Sequence, residues 1–146
     1  VPWKLYMIIK NQKIENDINK FPYLKEYIEE FNLTEEILNN VFFAYDNIVY
    51  TKINPLTVEK RFWDYVQHEQ VHFKQQEKYG LENWIKQYLS NDKFRLEMEI
   101  EAYKTQSFLY KDRNGRAKFI EHASNVLSSP IYGNIITKNE ARLKLF

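Results

Sequence analysis

The chain has 146 residues, of which 44% are hydrophobic and 16% aromatic. This is enough apolar surface for the core of one compact domain, and the length does not favour a second one. We therefore expect residues 1–146 to form a single domain. The 21 lysine and arginine residues nearly balance the 20 aspartate and glutamate residues, which gives a net charge of +1. Such a balance argues against nucleic acid and anionic membranes as partners.

The absence of cysteine limits the chemistry that the chain can carry. Without cysteine there is no disulfide, no thiol nucleophile and no cysteine-ligated metal. Any metal site must therefore use His, Glu or Asp side chains. The apolar run at residues 5–9 is too short for a signal sequence or a membrane span, so we expect a soluble protein and favour a cytoplasmic one.

The first third of the sequence predicts short elements. Residues 3–9 alternate loosely between apolar and polar and predict a strand. Apolar residues at helical spacing after Pro22 predict a helix, and a second short helix is expected at residues 34–40. Residues 41–52, with the Asp-Asn pair at 46–47 as a two-residue turn, are typical of a β-hairpin.

The remaining sequence predicts helices. Thr57 is expected to cap a long helix that ends before Gly80, and residues 81–89 carry the apolar face of the next helix. Residues 91–92 are expected to cap a third helix that runs to about Tyr110.

Two further helices are expected nearer the C-terminus. The Asn-Gly pair at 114–115 is expected to end the preceding helical unit. The two helices lie near residues 117–127 and 138–145, joined by a Ser-Ser-Pro turn and a glycine-containing loop. These elements predict an α+β fold that is mainly helical with a small sheet.

One motif carries specific chemistry. Residues 68–72 read His-Glu-Gln-Val-His, the HExxH pattern, in which His68 and His72 lie one helical turn apart and can bind the same metal ion. Glu69 then lies beside the open position of the metal, where it can act as general base in hydrolysis. The alternative is that both histidines are ordinary hydrogen-bonded residues and that Glu69 pairs with a lysine.

A helical wheel places the motif on the apolar face of its helix. At about 100° per residue, the two histidines lie within about 100° of Glu69, and three lysines lie on the opposite face. Burying a carboxylate and two imidazoles without compensation costs several kcal/mol, which a metal ion would offset. The apolar residues within about 60° of Glu69 are Val58, Phe62, Tyr65, Val66 and Phe73.

A third metal ligand must come from elsewhere, since catalytic zinc usually has three protein ligands. The glycine and third histidine of the extended metzincin motif are absent after His72. On the next long helix Glu99 is central to the apolar face, whereas Glu97 and Glu101 point away from it. Glu99 is therefore the predicted third ligand. His122 is the alternative ligand, although a histidine among apolar residues is more often structural.

The combination of HExxH and the sequence Glu99-x-x-Ala-Tyr resembles the gluzincin metallopeptidases, and in particular small putative metallopeptidases of bacteria and their phages. This resemblance implies a zincin-like fold, a zinc ion bound by His68, His72 and Glu99, and Glu69 as general base. It also implies that an edge strand before the motif helix, at residues 48–51, binds substrate by strand addition. The alternative is a plain hairpin that covers the core.

The chain departs from larger gluzincins at one place. Tyr103 stands where they have an aspartate that orients a ligating histidine, which leaves the orientation of the ligands to be explained. The candidates for stabilising an oxyanion are Tyr103, Tyr110, Tyr132 and His122.

Two functions are compatible with the sequence. The first is a zinc-dependent metallopeptidase that hydrolyses peptide or protein substrates with Glu69 as base. The second is a non-catalytic zinc protein, for example a phage structural or interaction component on the same fold. Whether the first forty residues block the cleft as a latency segment is a further question that the sequence raises.

Overall fold

The computed structural model describes residues 11–146, which form a mainly helical fold with one small sheet. The predicted α+β class is confirmed at this level, and the strand predicted at residues 3–9 lies outside the described residues. The α-helices of the described chain are α1 (Leu24–Phe31), α2 (Glu35–Leu38), α3 (Pro55–Arg61), α4 (Trp63–Tyr79), α5 (Leu81–Ser90), α6 (Asp92–Ser107), α7 (Arg113–Leu127) and α8 (Lys138–Leu145), with 3-10 turns at Ile18–Lys20 and Pro130–Tyr132.

The sheet has the strands β1 (Lys13–Glu15), β2 (Phe43–Tyr45) and β3 (Ile48–Tyr50), in the order β1-β3-β2. β3 is parallel to β1 and antiparallel to β2. The predicted hairpin is confirmed. Asp46 and Asn47 have φ angles of 50° and 64°, the left-handed pair whose twist suits a two-residue hairpin turn.

The two predicted N-terminal helices are present as α1 and α2. Asn32, the residue after α1, is left-handed with φ of 51° and ends the helix. Thr34 caps α2 by accepting from the amide of Ile37 at 3.2 Å. α2 is a single turn, shorter than the predicted residues 34–40.

The motif helix begins differently from the prediction. Asn54, and not Thr57, caps the first segment by accepting from the amide of Leu56 at 2.9 Å, with Pro55 in the first helical position. The predicted single helix is interrupted at Phe62, which has φ of −124° and ψ of 22°. The chain therefore forms two helices, α3 and α4, and the whole HExxH motif lies in α4.

The prediction for residues 114–115 was wrong. α6 ends at Ser107, and the side chain of Asp112 caps α7 by accepting from the amide of Gly115 at 3.1 Å. The Asn-Gly pair therefore lies in the first turn of α7 instead of ending the preceding unit. α8 matches its predicted bounds, and a capping box between Thr137 and Glu140 fixes its start.

The two largest clusters of buried side chains in the described chain both include a residue of α6. The aromatic cluster joins α1, the hairpin and α5, and the C-terminal cluster joins α6, α7 and α8. α4 contacts α5, α6 and β2, so it runs through the middle of the fold. The aromatic cluster includes Phe21, Tyr27, Phe43, Tyr50, Trp84 and Tyr88. The C-terminal cluster includes Tyr103, Phe119, Ile120, Leu127, Ala141 and Leu145.

The N-terminal segment within the described residues belongs to this core. Phe21 and Tyr27 are buried and pack against residues of the hairpin and α5. Removing residues 11–40 would take Phe21 and Tyr27 out of the aromatic cluster, so this part of the chain contributes to the core. No helix among residues 11–146 has both the length and the apolar character needed to cross a bilayer.

Candidate metal centre

The facing sides of α4 and α6 are buried but polar. His68, His72 and Glu99 are each 5% exposed or less, and one potential ligand atom from each lies within 4.8 Å of the others. Glu97 and Glu101, on the same helix as Glu99, are exposed. The helical spacing therefore predicted the inward direction of Glu99 correctly.

One carboxylate oxygen lies between the two imidazoles. Oε1 of Glu99 is 2.9 Å from Nε2 of His68 and 3.1 Å from Nε2 of His72. The other oxygen, Oε2, accepts a hydrogen bond from the hydroxyl of Tyr88 at 2.9 Å. The carboxylate is thus fixed on one side, and its remaining oxygen is directed at the two ring nitrogens.

His68 is held from behind by an amide and a buried carboxylate. Its Nδ1 lies 3.0 Å from Oε1 of Gln106, and the Gln106 amide nitrogen donates to Oδ2 of Asp64 at 2.9 Å. The same Asp64 oxygen accepts from the hydroxyl of Tyr110 at 2.7 Å. Because the amide nitrogen must face the carboxylate, the Gln106 oxygen must face the histidine.

His72 is held by a second glutamine from its own helix. Its Nδ1 lies 2.8 Å from Oε1 of Gln75, which also accepts from the indole N–H of Trp84 at 3.2 Å. The Gln75 amide nitrogen donates to the carbonyl of Met98 at 3.1 Å and to Glu101 at 3.0 Å. These two acceptors again fix the amide so that its oxygen faces the ring.

These hydrogen bonds decide the tautomer of both histidines. An amide oxygen only accepts, so the Nδ1 of each ring carries the proton. A neutral ring then presents the Nε2 lone pair to Glu99, and three electron pairs converge on one point. Such a point requires a cation, either a second proton on an imidazole or a metal ion.

The donor set suits zinc. Two imidazole nitrogens and one carboxylate oxygen form the His2Glu set of catalytic zinc sites. Ligands of one tetrahedral zinc lie about 3.4 Å apart, so the separations of 2.9 and 3.1 Å need to widen only slightly. His68, His72 and Glu99 could therefore hold a metal ion.

The ionisation of the cluster reflects the same requirement for positive charge. Burial opposes ionisation of Glu99, yet the two imidazoles beside it hold the pKa of Glu99 well below its ordinary value. Burial also opposes the charge on His72, but the Glu99 carboxylate raises the pKa of His72 to about 9. In the metal-free protein, an imidazolium therefore balances Glu99, and a divalent ion would replace its proton.

Glu69 faces a cavity beside the three ligands. This cavity has a volume of about 380 Å³ and is lined by residues from both core clusters. Within the described chain Glu69 makes no hydrogen bond through its carboxylate. Burial raises the pKa of Glu69 to about 7, an effect that the neighbouring His68 and His72 partly offset. A carboxylate with this pKa can accept and return a proton near neutral pH.

The structure distinguishes the remaining site candidates. His122 is exposed and lines the cavity, but it lies outside the ligand cluster. Tyr110 is bonded to Asp64 behind His68 and is therefore not available to an oxyanion. Tyr103 and Tyr132 line the cavity, and the Tyr103 ring packs on His68 with centroids 4.4 Å apart.

The expected substrate-binding edge strand was placed wrongly. Residues 48–50 form β3, the central strand, which pairs on both sides with β1 and β2. Among the described strands, β2 is the one that borders the cavity. Its Ala44 carbonyl already accepts from the side chain of Gln76 on α4 at 2.8 Å.

Three residues that support the candidate ligands were not predicted from the sequence. Asp64 precedes His68 by four residues, Gln75 follows His72 by three and Gln106 follows Glu99 by seven, so all three share the inward face of their helices. A polar side chain at an inward position was the available signal. With these residues in place, the orientation that an aspartate at position 103 would have supplied comes from two glutamines.

Comparisons with protein-family models, with curated proteins and with solved structures gave no match to this chain.

Proposed function

We propose that this chain is a zinc-dependent metallopeptidase with a zincin-like fold, in which His68, His72 and Glu99 bind the metal. A bound zinc ion would supply a Lewis acid and lower the pKa of water in the site. Glu69 would accept the proton of the attacking water and deliver it to the leaving amine. Peptides or proteins would be the substrates.

One observation carries this proposal. Two Nε2 atoms and Oε1 of Glu99 converge at 2.9 and 3.1 Å, while buried glutamines hold both Nδ1 atoms as donors. This arrangement keeps the proton on each Nδ1 and directs both Nε2 atoms at one point, so that a metal ion needs only to displace the proton that balances Glu99. A site that served stability alone would not need an adjoining cavity with an additional buried carboxylate, Glu69, directed into it.

The role of Glu69 can be tested by replacing it with Gln, which keeps its shape but removes the proton acceptor. We expect Glu69→Gln to bind zinc as the parent does, while cleavage of a mixed peptide library falls by about a hundredfold or more. Metal analysis and mass spectrometry of new peptide termini measure the two effects. Glu77→Gln is the matched control, because Glu77 is exposed on the same helix.

Two outcomes would contradict the proposal in different ways. Chelator-sensitive cleavage that persists unchanged in Glu69→Gln would place the base elsewhere. A zinc-loaded parent that cleaves no peptide, and loses only thermal stability when the metal is removed, would favour the non-catalytic zinc protein.

A further inference from the structure

The cavity beside the ligands has an apolar wall. Among the described residues that line it there is no lysine, arginine or aspartate, and its carboxylates are Glu69 and Glu99 of the site itself. With a divalent ion bound, those two negative charges are balanced. A lysine side chain of a substrate would therefore lose its hydration without gaining an anionic partner, and a glutamate side chain would find only the exposed His122, whereas an apolar side chain would gain by burial. The apolar lining includes Phe31, Leu33, Phe42, Val126 and Ile131.

The neighbouring strand offers little to the main chain of a substrate. Ala44 and Val49 form the second pair from the turn, next to the hydrogen-bonded pair Tyr45–Ile48. Since hydrogen-bonded and non-hydrogen-bonded pairs alternate in an antiparallel ladder, the Ala44 carbonyl points away from β3. That carbonyl is already bonded to the amide of Gln76 at 2.8 Å, and the Gln76 oxygen accepts from the amide of Asp46 at 3.2 Å. The Gln76 side chain thus occupies the place where an added strand would pair.

We propose that this site selects its substrate by one large apolar side chain, seated in the cavity next to the metal, and that strand pairing with β2 contributes little. The proposal rests on the proposed function for the position of the bond that is cleaved. The preferred substrates are peptides with a residue such as Phe or Leu beside that bond. Peptides with Lys or Glu at the same position are poor substrates.

Binding can be measured without turnover on the full-length, zinc-loaded Glu69→Gln protein. The probes are the peptides acetyl-Gly-Gly-X-Gly-Gly-amide, in which X is Phe, Leu, Ala, Lys or Glu. We expect Phe and Leu to bind about tenfold or more tighter than Ala, the usual gain from burying a large apolar side chain. Lys and Glu should bind no tighter than Ala.

The contribution of the main chain is tested in the Phe peptide by replacing each glycine in turn with sarcosine, which removes one N–H donor. If side-chain selection dominates, each replacement lowers affinity by less than about threefold. A loss from any sarcosine that equals the loss on changing Phe to Ala would overturn the proposal, since it would show pairing through the main chain.

A charge placed in the wall should reverse the preference. Val126 lines the cavity, whereas the next residue back on α7, Asn125, is exposed and lies outside it. Val126→Arg should bind the Glu peptide about fivefold or more tighter than the parent does, while Asn125→Arg should leave the peptide series unchanged. Zinc content and thermal unfolding of both variants establish that they are folded.

The result separates this proposal from the proposed function. If the parent protein cleaves peptides but prefers Lys or Glu beside the cleaved bond, side-chain selection is wrong and the peptidase stands. If it cleaves nothing while the binding series follows the expected order, the peptidase is wrong and the selectivity of the cavity stands. Equal binding of all five peptides would overturn the selectivity.

Discussion

The two histidines of the candidate metal centre have the same first contact but different support behind it. Both donate from Nδ1 to a glutamine oxygen, at 3.0 Å for His68 and 2.8 Å for His72. Behind His68, the amide of Gln106 reaches a buried carboxylate, that of Asp64. Behind His72, the amide of Gln75 reaches a main-chain carbonyl and the exposed carboxylate of Glu101.

This difference indicates how the two ligands are strengthened. A buried negative charge acts through little solvent and strongly holds the amide that orients the imidazole in front of it. An exposed carboxylate is screened by water and salt and has a weaker effect. His68 is therefore the candidate ligand supported by a buried charge. His72 is the candidate ligand supported mainly by packing, between Gln75 and the ring of Trp84 at a centroid distance of 5.3 Å.

The largest effect should come from removing Glu99, the carboxylate that contacts both histidines. Glu99→Ala should lower zinc affinity by more than about a hundredfold, beyond the loss typical of a supporting residue. Adding a chelator should then leave the unfolding of Glu99→Ala unchanged. In the parent, with zinc at a hundred times its Kd, the same chelator should lower the free energy of unfolding by about 2.7 kcal/mol. Chelator competition and thermal unfolding measure these effects.

The matched control for that prediction is Glu97→Ala, an exposed glutamate two residues away on the same helix. It should bind zinc as the parent does. An equal loss in the two variants would show that the effect reflects the helix and not the ligand.

The second largest effect on zinc affinity should come from replacing the glutamines that accept from the two histidines. Gln106→Leu and Gln75→Leu each remove the acceptor that fixes a tautomer, and each should lower zinc affinity by about tenfold to a hundredfold. Gln106→Leu should cost more, since it also leaves the buried Asp64 with one donor fewer. Nitrogen-15 NMR of the metal-free protein above the His72 pKa of about 9, where that ring is neutral, should show a mixture of tautomers at the affected histidine alone.

Gln67→Leu serves as the control for both, because Gln67 lies on α4 and contacts Gln70 instead of a histidine. If zinc affinity and ring spectra of Gln106→Leu match those of the parent, Gln106 does not position His68.

The sequence predicted the part of the site that follows from one helix at a time. Spacing in α4 brings His68, Glu69 and His72 to one face, and spacing in α6 separates Glu99 from its two exposed neighbours. The supporting contacts depend on how two helices dock. Gln106 contacts His68, which is 38 residues away in the sequence, and Asp64, which is 42 residues away. Without the docked helix that carries these partners, the sequence does not distinguish an inward glutamine from a surface one.

In the fold too, elements set by local sequence were predictable, and elements set by contacts with distant residues were not. The hairpin was predictable because its Asp-Asn turn is a local signal. The interruption at Phe62 was not, because helical spacing of apolar residues continues across it and the cap at Asn54 competes with the one expected at Thr57. The central position of β3 depends on β1, which precedes it by more than thirty residues, so hairpin chemistry alone could not place it.

The smallest expected effects test most directly whether His68 and His72 are supported differently, because the substitutions remove a charge and leave the side-chain shape unchanged. In Asp64→Asn the side-chain oxygen can still accept from Gln106, but the negative charge behind His68 is lost. We expect zinc affinity to fall by about tenfold, the lower end of the range for residues that support a ligand. In Glu101→Gln the lost charge is exposed, so affinity should change by less than about twofold. Competition with a chromophoric chelator at two salt concentrations measures both: the Asp64→Asn loss should persist at high salt, since a buried charge is little screened. If the two variants lose equal affinity, the supports behind His68 and His72 are equivalent and the distinction between them is wrong.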